Sequence, residues 1–481
     1  MEFIPSTRGG VKLLYEGHSY TKQNALKTKI RWQCTKRSSL SCRGTLLTDL
    51  KKANPIHEKP HCHDPSLAEN AATKARVAMK EAAKSSKDKP SQIFSSIVAD
   101  LPADVRAALP TEHVCKEVMQ AVRRSDLPLD PKQLSDLEIP ETWSSTSSGQ
   151  PFLIYDNGAD AGSRVIIFAS PDQLRELARA DMWFMDGNFA MSPRLFSQLY
   201  VIRVPIGQAY VSTVYALLQH KNQQCYQELL QALLDKCNEV LLFPDPHTIV
   251  VDFETAVINS IHTVLGSNVR VQGCYYHFTQ ATWRKVQELG LVALYNSDGD
   301  FKKFVRMMDA VPLLPLDKVH EGLSHLRDIC PQEAERLLDY FDSTYVSGTF
   351  RRVTTNDLRV ALRRQPPRYP KEVWNVHNAT IQNCPRTNNI CEGWNSKFYH
   401  LVNGNHPTIW RLISALKKEE ASVATVIAQD AVGVHPKKRV KRVYVDLQRK
   451  LKNLCQDVVS NRKTIPEFLS AAGHCINAKG H

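Results

Sequence analysis

Residues 182–219, with the sequence MWFMDGNFAMSPRLFSQLYVIRVPIGQAYVSTVYALLQ, decide the fold class of this chain. Three runs within it, Met182–Met191, Leu195–Pro205 and Gln208–Gln219, are rich in β-branched and aromatic residues and are joined by short links. Such runs are typical of strands that lie side by side in one sheet. The stretch therefore predicts three neighbouring strands.

The flanking segments extend this sheet and add helices to it. A strand is predicted before the three runs, at Arg164–Ala169. After them the pattern predicts, in order, a helix at Gln224–Val240, a strand at Thr248–Asp252, a helix at Ala256–Leu265 and a strand at Val269–His277. This order predicts a mixed sheet with helices packed on it. Such an arrangement is compatible with an RNase H-like core.

The whole chain is predicted to be an α+β protein of several domains. Residues 1–65 are dense in aromatic, Cys, His and basic residues with short alternating runs, so they predict a small β-rich module. Residues 66–160 predict a polar helix, a linker and short helices, which form either a plain connector or a DNA-contacting region. The predicted boundaries then place the mixed α/β core at 161–287, a helical insertion at 288–380, the end of the core at 381–425 and a basic helical tail at 426–481.

Composition excludes a membrane protein and favours a polyanionic partner. No stretch approaches the 18 or more apolar residues of a membrane span, and the N-terminus lacks the pattern of a secretory signal. We therefore expect a reducing compartment, in which the 12 cysteines are thiols or metal ligands. The formal net charge of +13 and the pI near 9.1 suit a nucleic acid, although charge alone does not identify one.

Four residues of the N-terminal module, Cys34, Cys42, His61 and His63, form a C-x7-C-x18-H-x-H pattern. Two thiolates and two imidazoles suit tetrahedral structural zinc, and a module this small gains stability from a metal. From the spacing alone, the competing interpretation is that these are scattered Cys and His residues in a basic loop.

The module resembles a FLYWCH zinc finger. The resemblance is carried by Phe3, Arg8, Gly9, Leu13, Tyr20, Trp32, Cys34, Cys42, His61 and His63. It implies zinc ligation by the two Cys and two His residues and a DNA- or protein-binding role. His57 and Cys62 lie beside the histidines and remain alternative ligands.

Basic residues in this module predict contact with phosphates. Between Lys22 and Lys59 the sequence has ten Lys or Arg against two acidic residues. This imbalance favours DNA over an acidic protein surface, and a solvated basic face is the alternative. The side chains predicted to bind DNA here are Arg31, Lys36, Arg37 and Arg43.

Two acidic residues lie where strands should end, Asp186 in WFMDGNF and Asp252 in TIVVDFETA. A single carboxylate at a strand end is usually a cap or a solvated group. On neighbouring strands the two would converge, and their repulsion would be relieved by protons or by Mg²⁺ or Mn²⁺ ions. Paired ions of this kind support phosphodiester hydrolysis and strand transfer.

The segment from Asp186 to about Gln287 resembles the transposase domain of Mutator-like elements (MULE), within the DDE transposase group. The resemblance is carried by DGNF at 186–189, LFSQLYVIRVPIGQAYVSTVYALL at 195–218, VDFETAVINSI at 251–261 and CYYHF at 274–278. It implies that Asp186 and Asp252 are the first two catalytic acids.

The third acid implied by this resemblance is Glu392, in RTNNICEGWNSKF at 386–398. Glu372 and Asp357 compete for the role without comparable motif context, and Glu392 could instead stabilise an early helical turn. Arg386 and Asn389 are predicted to bind DNA, and with Asn388 and Asn395 they could also position Glu392.

Cys274 and His277 match the C-x-x-H signature of the same family. They could form half of a zinc site with His400 and His406, or could act in packing or in positioning DNA, which we favour because they supply only two ligands. The basic run at 436–442, PKKRVKR, predicts nuclear import, with a basic helix face as the alternative.

These features predict a nuclear MULE-type transposase that uses structural Zn²⁺ and catalytic Mg²⁺ or Mn²⁺. Its expected partner is double-stranded DNA, as element ends and target, and we expect a homo-oligomer with no membrane and no small-molecule substrate. The alternative is a domesticated, non-catalytic zinc-finger DNA-binding protein or transcriptional regulator.

Overall fold

The computed structural model describes residues 1–6, 10–86, 88–125, 127–354, 360–436 and 440–476. Arg8 and Gly9 of the FLYWCH pattern, Asp357, and residues 437–439 of the basic run lie outside these ranges. The chain divides into two compact units, Met1–Leu129 and Asp130–His481. In the described residues, no helix combines the length and the apolar character needed to cross a bilayer.

The first unit begins with an antiparallel sheet whose six strands follow one another in chain order. The strands are β1 Glu2–Pro5, β2 Val11–Tyr15, β3 His18–Ala25, β4 Lys29–Cys34, β5 Thr45–Asp49 and β6 Ile56–Lys59. Alternation along the strands places Leu13, Tyr20, Trp32 and Leu46 in one small core. The predicted β-rich module is confirmed, and its core is small enough for a bound metal to matter.

Helices complete the first unit. They are α1 Leu67–Ser85, α2 Pro90–Ala99, α3 Ala103–Ala107 and α4 Glu112–Ser125. Ser66 caps α1, because its hydroxyl accepts from the Glu69 backbone N–H at 3.2 Å. Met79, Ile93 and Met119 belong to a core shared by these helices, so this part of the chain is packed.

The second unit is built on a seven-stranded mixed sheet with the order β13-β12-β9-β10-β11-β8-β7. Its elements, in chain order, are α5 Glu141–Ser144, β7 Leu153–Asp156, β8 Val165–Phe168, α6 Pro171–Arg179, β9 Met182–Asn188, β10 Gln198–Ile206, β11 Ala209–Leu218, α7 Gln223–Glu239, β12 Thr248–Val251, α8 Thr255–Leu265 and β13 Arg270–Gly273. β9, β10 and β11 form an antiparallel meander, whereas β12 runs parallel to both β9 and β13. The predicted mixed sheet is therefore confirmed.

Two local predictions in this region need correction. The strand predicted through His277 ends at Gly273, because helix α9 begins at Tyr275. The aromatic residues there favour a strand locally, but Tyr275 and Phe278 are buried at helical spacing, so tertiary packing overrides propensity. Helix α6 was not predicted, although Ser170 followed by Pro171 and Gln173 forms a capping box that signals a helix start.

A helical block follows the sheet, with one unpredicted hairpin inside it. The elements are α9 Tyr275–Glu288, α10 Val292–Ser297, α11 Gly299–Ala310, α12 Val319–Asp328, α13 Glu335–Phe341, β14 Thr349–Thr354, β15 Val360–Gln365, α14 Lys371–Trp374 and α15 His377–Ile381. Among the described residues, β14 and β15 form a separate two-stranded sheet. The predicted insertion is thus helical except for this two-stranded ribbon.

The remaining helices are α16 Asn389–Val402, α17 Ile409–Ala431, α18 Arg442–Val459 and α19 Ile465–Ile476. Buried Leu451, Cys455, Phe468 and Leu469 of the last two helices belong to the largest core of the protein. Gly473 allows α19 to approach α11 closely, since a Cβ there would lie 3.1 Å from the Arg306 carbonyl carbon. The predicted basic tail is therefore a packed part of the second unit.

Candidate metal centres

The four predicted zinc ligands converge in the first unit. One ligand atom from each of Cys34, Cys42, His61 and His63 lies within 4.8 Å of all the others. Cys34 Sγ is 3.2 Å from His63 Nε2, and Cys42 Sγ is 3.4 Å from His61 Nδ1. Thiolate and imidazole ligands of one tetrahedral zinc ion would be about 3.5 Å apart, given the usual bond lengths. The donor set and its spacing therefore fit structural zinc.

Neighbouring groups orient both imidazoles towards the thiols. Tyr20 Oη lies 2.8 Å from His61 Nε2, which leaves Nδ1 facing Cys42. His63 Nδ1 lies 3.0 Å from the Asp64 carbonyl oxygen, which leaves Nε2 facing Cys34. Hydrogen bonds to the non-ligating nitrogen are the usual support of a metal-binding histidine.

The cluster favours the protonation state that a metal requires of its histidines. Burial, followed by the charges of His18 and His63, lowers the pKa of His61 to about 4, so its ring is neutral at pH 7. Burial raises the pKa of the Cys34 thiol to about 11 without a metal. Zinc binding would therefore displace a proton from Cys34.

The alternative ligands lie outside this cluster. His57 Nε2 is 3.1 Å from Glu16 Oε2, and the Cys62 thiol is exposed and donates to the Leu40 carbonyl oxygen. His18, which the sequence did not single out, stacks on the His61 ring with centroids 3.7 Å apart. Its place beside the histidines could only be recognised once β3 was folded against the 61–63 segment.

The N-terminal residues predicted to bind DNA differ in their surroundings. Arg31 donates to the Glu58 carboxylate, and Lys36 Nζ lies 2.8 Å from Glu69 Oε2. Arg37 is 3.5 Å from Gln33 Oε1, whereas Arg43 is exposed. Their contact with DNA remains a prediction.

The second candidate centre lies where β9 and β12 end at one edge of the mixed sheet. Asp186 is on β9, and Asp252 directly follows β12, the parallel neighbour of β9. Burial, followed by the charge of Asp252, raises the pKa of Asp186 to about 7. The two carboxylates are thus close enough to repel each other, which is the condition under which cations bind between carboxylates.

Cys274 and His277 join Asp252 rather than His400 or His406. Ligand atoms of Asp252, Cys274 and His277 all lie within 4.8 Å of one another. His277 Nδ1 is 2.7 Å from Asp252 Oδ1. Although burial opposes it, the contact with Asp252 raises the pKa of His277 to about 11, so the imidazole is charged at neutral pH.

The segment before α16 is bound to this edge of the sheet. The Asn388 backbone N–H donates to Cys274 Sγ at 3.1 Å, and its side-chain amide donates to the Met185 carbonyl oxygen at 3.0 Å. The Tyr275 N–H donates to the Arg386 carbonyl oxygen at 2.9 Å. These bonds hold the start of α16 beside Asp186 and Asp252.

Helix α16 then presents one polar face to Asp186. Asn395 Nδ2 donates to Asp186 Oδ2 at 2.8 Å. Glu392 is four residues after Asn388 and three before Asn395, so helical periodicity puts it on the same face. Its side chain is exposed and forms no hydrogen bond or ion pair with any residue that the structure describes.

The remaining residues that the sequence predicted for this site have different surroundings. The Arg386 guanidinium is partly buried and donates to Thr380 Oγ1 at 3.3 Å, whereas Asn389 is exposed. His406 Nδ1 lies 3.1 Å from the Ser192 carbonyl oxygen, and His400 is exposed. Glu372 is in the first turn of α14.

The four predicted zinc ligands, and Asp186, Asp252, Cys274 and His277, fall within two protein domains of known type. Residues 3–63 match the FLYWCH zinc finger domain, and residues 182–281 match the MULE transposase domain. The chain therefore carries a FLYWCH zinc finger domain followed by a MULE transposase domain, as the sequence predicted.

Two curated relatives match across the zinc finger. FLYWCH-type zinc finger-containing protein 1 from Mus musculus is 34% identical over 76 residues, which are 16% of this chain and 11% of the relative. The protein of the same name from Homo sapiens is 32% identical over 76 residues, or 16% of this chain and 10% of the relative. The match thus spans about a tenth of the length of these relatives.

Proposed function

We propose that this protein is a MULE-type DNA transposase that binds double-stranded DNA and cleaves and joins its phosphodiester bonds. The observation that carries the proposal is the meeting of Asp186 and Asp252 on adjacent strands with the polar face of α16. Asp186, Asp252 and Glu392 would hold two Mg²⁺ or Mn²⁺ ions. The ions would supply positive charge to the attacking and leaving oxygens of the displacement.

The strand arrangement supports an RNase H-like core for this activity. An antiparallel meander, β9 to β11, is continued on its first strand by the parallel strands β12 and β13, with helices between them. Neighbouring parallel strands end at the same sheet edge, so Asp186 and Asp252 belong to one site. The third acid would come from α16, whose start is bound to that edge by Asn388.

The residues around the acids would prepare them for metal. The His277 imidazole contacts one oxygen of Asp252 at 2.7 Å and so orients that carboxylate. The Asn395 amide fixes one oxygen of Asp186, which leaves the other free for an ion. At a pH above about 7 the Asp186 carboxyl loses its proton and becomes a ligand.

The zinc module would supply DNA binding for this activity. Zinc at Cys34, Cys42, His61 and His63 would stabilise the sheet that carries Arg31, Lys36, Arg37 and Arg43, and these cations would contact phosphates. Arg386 and Asn389 would contribute near the acids. We further propose that the protein acts in the nucleus as a homo-oligomer.

The decisive experiment is a cleavage assay on duplex DNA that carries the sequences flanking the gene. We expect nicking in Mg²⁺ or Mn²⁺ that is abolished by Asp252→Asn and by Glu392→Gln. Glu372→Gln is the matched control and should retain activity. Circular dichroism should show that all three variants are folded.

A second candidate is favoured by the isolation of Glu392. The exposed Glu392 side chain is not part of the ligand group formed by Asp252, Cys274 and His277. A domesticated protein that binds DNA without cutting it would need only the zinc module and a folded core. DNA binding without cleavage in either metal, unchanged by Glu392→Gln, would establish this alternative and refute the transposase proposal.

A further inference from the structure

The ribbon formed by β14 and β15 is an exposed and strongly cationic element of the second unit. Its described side chains, at 349–352 and 362–365, include four arginines and no acidic residue. All eight of these residues are exposed. Within the described residues, no carboxylate forms an ion pair with Arg351, Arg352, Arg363 or Arg364; Arg364 donates to the Ser347 carbonyl oxygen at 3.3 Å.

The strand register places like charges directly opposite one another. Arg351 pairs with Arg363, so both guanidinium groups extend from the same face. On the other face Arg352 lies opposite Leu362, and Phe350 lies opposite Arg364. Like charges at opposite positions destabilise a strand pair, and an isolated two-stranded ribbon is only marginally stable in water. A polyanion bound along the ribbon would remove this repulsion.

Two large apolar side chains are exposed beside these arginines. Phe350 is 69% exposed and Leu362 is 67% exposed. Arginine suits phosphate because its planar group donates two hydrogen bonds at once. Apolar side chains next to cations are suited to base edges and sugars, so the composition fits duplex DNA better than a simple acidic peptide.

The base of the ribbon is bound to the candidate catalytic edge. Tyr369 Oη donates to the Phe253 carbonyl oxygen at 2.7 Å, and Phe253 directly follows Asp252. Trp374 Nε1 donates to the carbonyl oxygens of Tyr345 and Tyr369 at 2.9 and 3.1 Å, which joins the two ends of the ribbon. At the base, Gly348 has a φ of +76°, and a Cβ there would collide with the Gln365 carbonyl oxygen.

The length of the ribbon suits a duplex held at that edge. Each strand has six residues, which at about 3.3 Å per residue extend about 20 Å. The DNA major groove admits a two-stranded ribbon of this kind. The anchored base and the cationic faces therefore both indicate duplex DNA as the ligand.

We propose that the β14–β15 ribbon binds duplex DNA and holds it against the site of Asp186 and Asp252. The proposal rests on the proposed function, because it assumes that DNA is the substrate of that site. Arg351 and Arg363 contact phosphates from one face, and Arg352 does so from the other, beside Phe350 and Leu362.

The test compares two triple variants of the full-length protein. Arg351→Gln, Arg352→Gln and Arg363→Gln remove three charges from the ribbon. Arg175→Gln, Arg179→Gln and Arg336→Gln remove three exposed charges elsewhere in the second unit. Affinity for a fluorescent 30-base-pair duplex is measured by anisotropy over a range of salt concentrations.

We expect the ribbon variant to bind at least tenfold more weakly than the control variant. The slope of log affinity against log salt should become less steep by about 0.9 for each phosphate that the variant no longer neutralises. The ribbon variant combined with Lys36→Gln, Arg37→Gln and Arg43→Gln should bind more weakly still, because the zinc module and the ribbon bind separate phosphates.

Failure of this inference is distinguishable from failure of the proposed function. If the unaltered protein binds duplex DNA but the ribbon and control variants have equal affinities and salt slopes, the ribbon is not a DNA-binding element. If the unaltered protein does not bind duplex DNA, both proposals are wrong. If it binds DNA through the ribbon but does not cleave it, only the transposase proposal is wrong.

Discussion

At the scale of single residues, one tyrosine and one asparagine orient two of the candidate metal ligands, His61 and Asp186. Tyr20 engages Nε2 of His61, so only Nδ1 can face the thiols. Asn395 engages one oxygen of Asp186 and leaves the other available. The sequence predicts His61 and Asp186 as ligands, whereas Tyr20 and Asn395 lie 41 and 209 residues from them and were not assigned these positioning roles.

The raised pKa of Asp186 predicts how this residue affects stability. The pKa of Asp186 in the folded protein is about 7, against an ordinary value of 3.8. Ionisation of Asp186 therefore leaves the free energy of unfolding almost unchanged at about pH 3.5 and lowers it increasingly as the pH rises to about 7. Above about pH 7 the loss is constant. Without Mg²⁺ or Mn²⁺, we expect Asp186→Asn to raise the free energy of unfolding by about 2–4 kcal/mol at pH 8.

Urea unfolding followed at pH 4 and pH 8 would measure this effect. The exposed Asp181, directly before the same strand, supplies the control, since Asp181→Asn should change stability little at either pH. If Asp186→Asn raised the free energy of unfolding equally at both pH values, the ionised carboxylate would not be destabilised by its surroundings.

At the scale of elements, the placement of α16 decides which side chains complete the acidic site. Its start is fixed by Asn388 through Cys274 and Met185, and its apolar face packs through Cys391 and Trp394. The sequence indicated a helix here but could not show which edge of the sheet receives it. Residues so distant in sequence meet only through the complete fold.

Removal of one hydrogen bond on α16 should weaken the site without unfolding the helix. Asn395→Ala deletes the hydrogen bond to Asp186, so we expect Mn²⁺ affinity, measured by calorimetry, to fall about tenfold, as for other residues that orient metal ligands. Asn389→Ala, on the exposed side of the first turn, is the control and should bind Mn²⁺ normally. Equal affinities in the two variants would argue against a positioning role for Asn395.

At the scale of the whole molecule, the two units have separate cores and depend on different interactions. The N-terminal sheet has a core of a few residues around Trp32, and the second unit has a much larger one. Small domains depend on metals because they bury little apolar surface. We therefore expect bound zinc to stabilise the first unit and not the second.

Zinc removal should consequently unfold one part of the protein selectively. After chelation, we expect the tryptophan signal of Trp32 to report loss of the N-terminal sheet at a lower temperature, while the second unit melts at an unchanged temperature. Cys42→Ser should reproduce this behaviour, and Cys62→Ser, whose thiol lies outside the cluster, should not. A single unfolding transition for the whole protein, shifted to lower temperature by chelation, would contradict this prediction of selective unfolding.

The sequence by itself determined the order of the two matched domains and the central meander. These depend on local composition and on motifs of short range, such as the β-branched and aromatic runs of β10 and β11. Only the tertiary structure decided that α9 begins at Tyr275, that a ribbon interrupts the helical insertion, and that His277 and Asn395 contact the two acids. The physical reason is that burial and long-range hydrogen bonds override local propensity, and neither can be evaluated before the chain is folded.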